Sequence, residues 1–239
     1  VLTYIPGFYY KREVVDGVEY QYISKYEQEG YSYSEPFSVG RYKMSKKTTS
    51  TSVSSIDKGR IELIADIKKE ICDDKCKADR VVNATSSSGT APLTNEKITM
   101  LREIASKLGT DFSILDYHYY VLQMLYLVEY ADYDSQTKLG KGVTENNDGA
   151  IIMGGTDSLG MKSGCLINDG AHSMIYRGIE DIYGNTFDFL DGINVKAYQA
   201  YINYDFTTYE SDVFDGNYRA LGYANKSFTG VYGNGWITK

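Results

Sequence analysis

The first 45 residues alternate aromatic or β-branched side chains with polar ones, which is the pattern of half-buried strands. "IPGFYYKREV" (residues 5–14) and "VEYQYISKYEQEGY" (residues 18–31) are predicted strands, with Asp16-Gly17 as a hairpin turn between them. "FSVGRYKMS" (37–45) is a third. Residues 45–55 form a polar, low-complexity loop. Residues 57–73 carry an approximate helical stripe of Ile61, Ile64, Ala65, Ile67 and Ile71. After the loop "NATSSSGTAP", two stronger helices are predicted. "TNEKITMLREIASKLG" opens on Thr94 as N-cap, puts Ile98, Leu101, Ala105 and Leu108 on one face, and stops at Gly109. "SILDYHYYVLQMLYLVEYADY" starts with Ser113 and Asp116 in a capping-box pattern. It is apolar on nearly all sides, so it is expected to be the central buried helix. From Asp132 onward, turn-rich sequence such as "ENNDG" and "GGTDSLGMKSG" precedes late strands. Strands, then helices, then irregular chain with late strands is an α+β order, and there is no internal repeat.

Length and composition fit one domain with a proper core: 239 residues, 42% hydrophobic, 24% charged. Tyrosine is the outlier, with 24 residues against 8 Phe and 1 Trp. Its apolar body and polar tip suit half-buried strands and contact surfaces. A net charge of −7 and no basic stripe disfavour nucleic acid and anionic membrane. The most basic cluster, Lys43 to Lys47, is expected to be a solvated loop. No segment has the length and apolarity of a transmembrane helix. The opening "VLTYIPGFYYKREV" lacks the regions of a signal peptide and reads as a start within a longer protein. Cys72, Cys76 and Cys165 cannot make a full disulfide framework and are expected to be free thiols, as in a chain folded in reducing cytosol.

Candidate chemistry is sparse. His118 lies within the buried helix and is expected to be a core or satisfied histidine. His172 and Cys165 are seven residues apart in glycine-rich sequence, with nothing to orient a nucleophile pair. No Walker loop or G-x-G-x-x-G follows a strand. Asp188 and Asp191 are carboxylates of the type used in glycoside hydrolysis, but loop carboxylates are common and sequence does not set their separation. Asp181, Asn185, Asp188, Asp191 and Asn194 offer hard oxygen ligands for calcium, in a spacing unlike an EF-hand; turn capping is the alternative.

The stretch "YRGIEDIYGNTFDFLDGINV" (176–195) adds a different kind of information. Its core, Gly184-Asn185-Thr186-Phe187-Asp188-Phe189, resembles the G-N-V-W-E-W motif of the formylglycine-generating-enzyme (sulfatase-modifying-factor) branch of the C-type lectin fold. The whole stretch is similar to the "YRGIEN-WGN-W-W-DGIN" segment of phage and prophage tail or minor structural proteins. "IPGFYYKR", "LDYHYYVLQMLYLVEYADYDSQTKLGKGV" and "GGTDSLGMKSG" resemble the first strand, long helix and glycine-rich loop of those proteins, in the same order. The resemblance implies one C-type-lectin-like domain over 1–239 with small antiparallel sheets, two or three helices and long irregular loops. It also implies an insertion at about residues 48–95 and an incomplete C-terminus, since the final strand that pairs with the first in such folds is not evident. Phe187 and Phe189 stand where the family has tryptophans and are expected to plug the core. The enzyme branch depends on cysteines near the C-terminus, and none follows Cys165. The scaffold alone therefore carries over, without catalysis or cofactor.

Downstream, "KAYQAYINYDFTTYESDVFDGNYRALGYANKS" interleaves tyrosines with Asn and Asp, a paratope-like composition that also suits sugars. The expected contact residues are Tyr198, Tyr201, Asn203, Tyr204, Asp205, Tyr209, Asp212, Asp215, Asn217 and Tyr218. Any one of these tyrosines could instead pack inward or against a neighbouring subunit. With the resemblance, the expectation is a non-enzymatic virion protein of a tail or fibre that binds a bacterial surface receptor such as a glycan. The alternatives are a structural protein docking on another virion protein through its C-terminal region, or an enzyme acting on polysaccharide. A homotrimer is expected by analogy with phage fibres.

Overall fold

The computed structural model describes residues 1–46, 84–130, 138–146, 149–224 and 237–238. The chain is an α+β fold of small antiparallel sheets around a central helix. The predicted helix at 57–73, Cys72 and Cys76 lie outside the described residues.

Pro6 and Gly7 split the first predicted strand. β1 (Leu2–Ile5) precedes them and β2 (Phe8–Val15) follows. β1 buries Thr3 and Ile5 while Leu2 and Tyr4 face out, the period-2 alternation of a strand covered on one side. The hairpin to β3 (Val18–Ser24) turns at Asp16 (φ 52) and Gly17 (φ 78), matching the turn expected from sequence. β4 (Ser32–Ser34) pairs with the other edge of β2. β5 (Phe37–Gly40) pairs with β1, and β6 (Ser45–Lys46) pairs with β7 (Ala84–Thr85). The single strand expected over 37–45 is thus two, broken at Arg41.

Helix α1 (Ile98–Ser106) begins later than Thr94 predicted: Asn95 has φ 62, and Lys97 precedes the helix without a side-chain cap. Ile104 and Ala105 are buried, but Leu108 falls beyond the helix and is exposed, so the expected apolar face is shorter. Helix α2 (Tyr117–Tyr130) is the buried one, with Val121, Leu122, Met124, Leu125 and Tyr126 in the core. Its cap is Asp116 itself, whose carboxylate accepts from His118 N at 3.0 Å; no Ser113 capping box forms. Ile5, Phe8, Leu139, Met174, Tyr176, Ile179 and Ile182 pack with α2 in one cluster.

The fourth sheet orders β8 (Gly164–Cys165), β9 (Met174–Tyr176) and β10 (Ile179–Glu180) with β9 central. Glu180 is fully buried, and its carboxylate ties the irregular loop before it. Gly154 N donates at 2.6 Å, Thr156 N at 2.8 Å and the Thr156 hydroxyl at 2.5 Å. A long loop with few strands is held in this way by a charged acceptor that needs all three donors to be tolerated inside. The last sheet runs β11 (Ile193–Lys196), β12 (Gln199–Ile202), β13 (Arg219–Ala224) and β14 (Ile237–Thr238) in chain order. β14 pairs with β13, and the described partner of β1 is β5, so the described residues show no pairing of the last strand with the first.

Phe187 and Phe189 do not plug the core: they are 87% and 49% exposed. Asn185 does the inward work of that loop. Its side chain bonds Ile151 N at 2.8 Å and Asp181 Oδ2 at 2.8 Å, which turns the following residues out to solvent.

Candidate functional site

The polar end of the last sheet is built by side chains that bond to their own loop. The Asn203 amide oxygen accepts from Asp205 N at 2.9 Å, and its Nδ2 donates to Thr208 Oγ1 at 2.9 Å. Asp205 Oδ1 accepts from Thr207 N at 3.0 Å and the Thr207 hydroxyl at 2.6 Å, capping the 3-10 turn Phe206–Thr208. Asn217 Nδ2 donates to Thr208 Oγ1 at 3.0 Å, joining the return chain to this turn. Below, the Tyr209 hydroxyl donates to Asp116 Oδ2 at 3.0 Å, and the Tyr218 hydroxyl bridges Glu210 N and O at 2.9 and 2.8 Å. Gly192 sits under Asn203, whose N donates to its carbonyl at 2.8 Å. A Cβ on Gly192 would lie 2.6 Å from Asn203 O at φ 77, so only glycine admits this approach.

These bonds leave an open pocket of about 300 Å³ lined by Ile202, Asn203, Tyr204, Asp205, Gly216, Asn217 and Arg219. Tyr204 is 57% exposed, and its ring stands edge-on against Tyr117 at 5.1 Å and 81°. Burial raises the Tyr117 hydroxyl pKa, and the charge of Asp116 raises it further. Burial likewise holds Tyr209 well above its ordinary range, with Asp116 adding to it, so both stay neutral donors. The Thr207 hydroxyl and backbone N–H hold Asp205 below the usual carboxylate range, so it stays anionic.

Of the ten residues expected from sequence, the pocket gathers Asn203, Tyr204, Asp205 and Asn217. Asn203, Tyr209 and Tyr218 are buried and do not offer free faces; they were expected at the surface, but their hydrogen-bonding groups serve the loop instead. Tyr201 is half-buried, its hydroxyl on Gln199 at 2.8 Å and its ring against Phe214 at 5.2 Å. Asp212 and Asp215 are exposed but line no part of the pocket. Tyr198 projects from the β11–β12 turn, away from the pocket lining. Sequence reasoning missed Arg219, although it is the sole Lys or Arg between Lys196 and Lys226.

The other candidate groups are occupied. Asp191 takes a bidentate ion pair from Arg102 at 2.6 and 2.5 Å, and Asp188 pairs with Lys43 at 2.6 Å. Asn194 caps Glu210 and Val213 carbonyls. Asp181 is buried, with Asn185 and Ser173 donating to Oδ2 at 2.8 and 3.0 Å. Of the candidate calcium ligands, Asp181, Asn185, Asp188 and Asp191 thus accept from protein donors, and no metal-binding cluster of His, Cys, Asp or Glu occurs among the described residues. His118 lies tilted against Phe37 at 4.6 Å and bonds Asp116 at 2.7 Å, the satisfied histidine expected. His172 pairs with Asp169, while burial raises the Cys165 thiol pKa, which disfavours a thiolate. Comparison with protein-family models, curated proteins and solved structures returned no match for this chain.

Proposed function

We propose that this chain is a non-enzymatic binding protein that takes a carbohydrate in the Tyr204 pocket. The observation that carries this reading is the pocket itself. A half-exposed tyrosine face stands beside an anionic carboxylate, an amide and a guanidinium, on a loop where the side chains of Asn203, Thr207, Thr208 and Tyr218 are already bonded. Sugars present an apolar ring face and a fringe of hydroxyls, and a pre-organised aromatic with flanking acceptors and donors complements both. The ordered resemblance of residues 6–195 to phage tail proteins extends the proposal: a virion protein with a C-type-lectin-like domain that attaches to a bacterial surface glycan. Catalysis is disfavoured because Asp188 and Asp191 are held in ion pairs.

A second reading has its own observation. Ile193, Val195 and Leu221 expose apolar side chains on the last sheet, which would suit docking on another virion protein or assembly of copies into a trimer. Binding of the purified chain to host envelopes and a glycan array separates the two. A glycan signal weakened about tenfold by Tyr204→Ala supports the first, since an aromatic contact contributes about 1–2 kcal/mol. A tight virion-protein complex with no glycan signal supports the second.

A further inference from the structure

Five arginines lie among the described residues, and four are neutralised. Arg12 pairs with Glu19, Arg41 with Asp157, Arg102 with Asp191 and Arg177 with Glu129. The fifth, Arg219, has no ion pair among the described residues. It is exposed, stands opposite Ile202 at the start of β13, and lines the pocket. A chain of net charge −7 has carboxylates in excess, so a pocket arginine with no ion pair among the described residues is placed to meet an anion from outside.

The pocket also limits which anion fits. Asp205 stays ionised beside the same space, so a compact dianion such as phosphate would be repelled. The Asn217 amide oxygen makes no bond to a described residue, and the Asp205 carboxylate, contacted by Thr207 and Thr208, keeps further acceptor capacity for hydroxyl donors. A guanidinium fork, two hydroxyl acceptors and the Tyr204 ring together match a pyranose bearing one carboxylate. We infer that Arg219 makes this pocket selective for hexuronate-containing acidic glycans. The inference rests on the carbohydrate-binding reading above and specifies its ligand class. In that pose the sugar carboxylate takes two guanidinium N–H donors, ring hydroxyls donate to Asp205 and Asn217, and the ring face lies on Tyr204.

The test titrates the full chain with galacturonate, glucuronate and mannuronate trimers, each against its methyl ester, which removes the charge and keeps the ring. The expected result is at least one acid trimer bound about tenfold or more tightly than its ester, a preference that shrinks with added salt. Arg219→Gln should erase that preference, with acid binding falling to the level of the ester for the same variant, and Arg219→Lys should restore part of it. Equal binding of acid and ester by the wild-type chain, or binding of neutral glycans alone, overturns the acidic selectivity and leaves the carbohydrate reading standing. No binding of acid, ester or neutral glycan overturns both.

Discussion

Asp181 shows how one residue contributes to the response of this fold to pH. Burial pushes its carboxyl from 3.8 up to about 6, reinforced by Glu180 and opposed by hydrogen bonds from Asn185 and Ser173. Below about pH 4 the group is protonated in both folded and unfolded chains. Between about pH 4 and 6 the unfolded chain has released the proton and the folded chain retains it, so this group lowers stability as pH rises. The full effect is on the order of 3 kcal/mol. Urea unfolding from pH 4 to 7 should show that decline in wild type and a flatter profile in Asp181→Asn, which keeps the shape without the titration. Asparagine also tolerates the positive φ of 52 at this position. At the other extreme, Phe187→Ser should change stability by less than about 0.5 kcal/mol, because the ring is solvated; a core plug would lose several times that in the same urea titration. The sequence alone did not separate these two positions. Both sit in "YRGIEDIYGNTFDFLDGINV", and their burial depends on Asn185 reaching back to Ile151, a contact 34 residues away in the chain.

At the scale of elements, periodicity located what local chemistry controls. The β2–β3 hairpin and the α2 core follow from alternation, Asp16-Gly17 and an apolar run. The helix starts were less legible, because Thr94 and Ser113 have the right side chains but Lys97 and Asp116 immediately precede the helices. The β11–β12 turn carried no sequence signal: Ala197 and Tyr198 have φ 49 and 64, the geometry of a type I′ turn without its usual Asn-Gly pair. The double substitution Ala197→Asn with Tyr198→Gly supplies that pair and should raise the unfolding free energy by about 1–2 kcal/mol in chemical denaturation. Helix α1 is docked by the Arg102–Asp191 pair, in which Asp191 is buried. Arg102→Ala leaves that carboxylate unpaired and should cost about 3–5 kcal/mol by the same measurement. The ion pair spans 89 residues, so no local pattern announces it.

For the whole molecule, the tyrosine-rich composition pointed to the region that holds the candidate pocket and to four of its lining residues, because Tyr, Asn and Asp together mark chain that bonds polar groups at a surface. It did not separate tyrosines that face out from Tyr209 and Tyr218, whose hydroxyls find Asp116 and Glu210. The pocket follows from that division: buried tyrosines fix the loop, and Tyr204 and Arg219 are left at its rim. No helix among the described residues is long and apolar enough to cross a membrane. The measurement that bears most directly on this account is calorimetric titration of the wild-type chain and Tyr204→Ala with bacterial surface glycans. The account predicts saturable binding by the wild type, about tenfold weaker in Tyr204→Ala with unchanged unfolding. Equal binding by both chains, or none by the wild type, would contradict it.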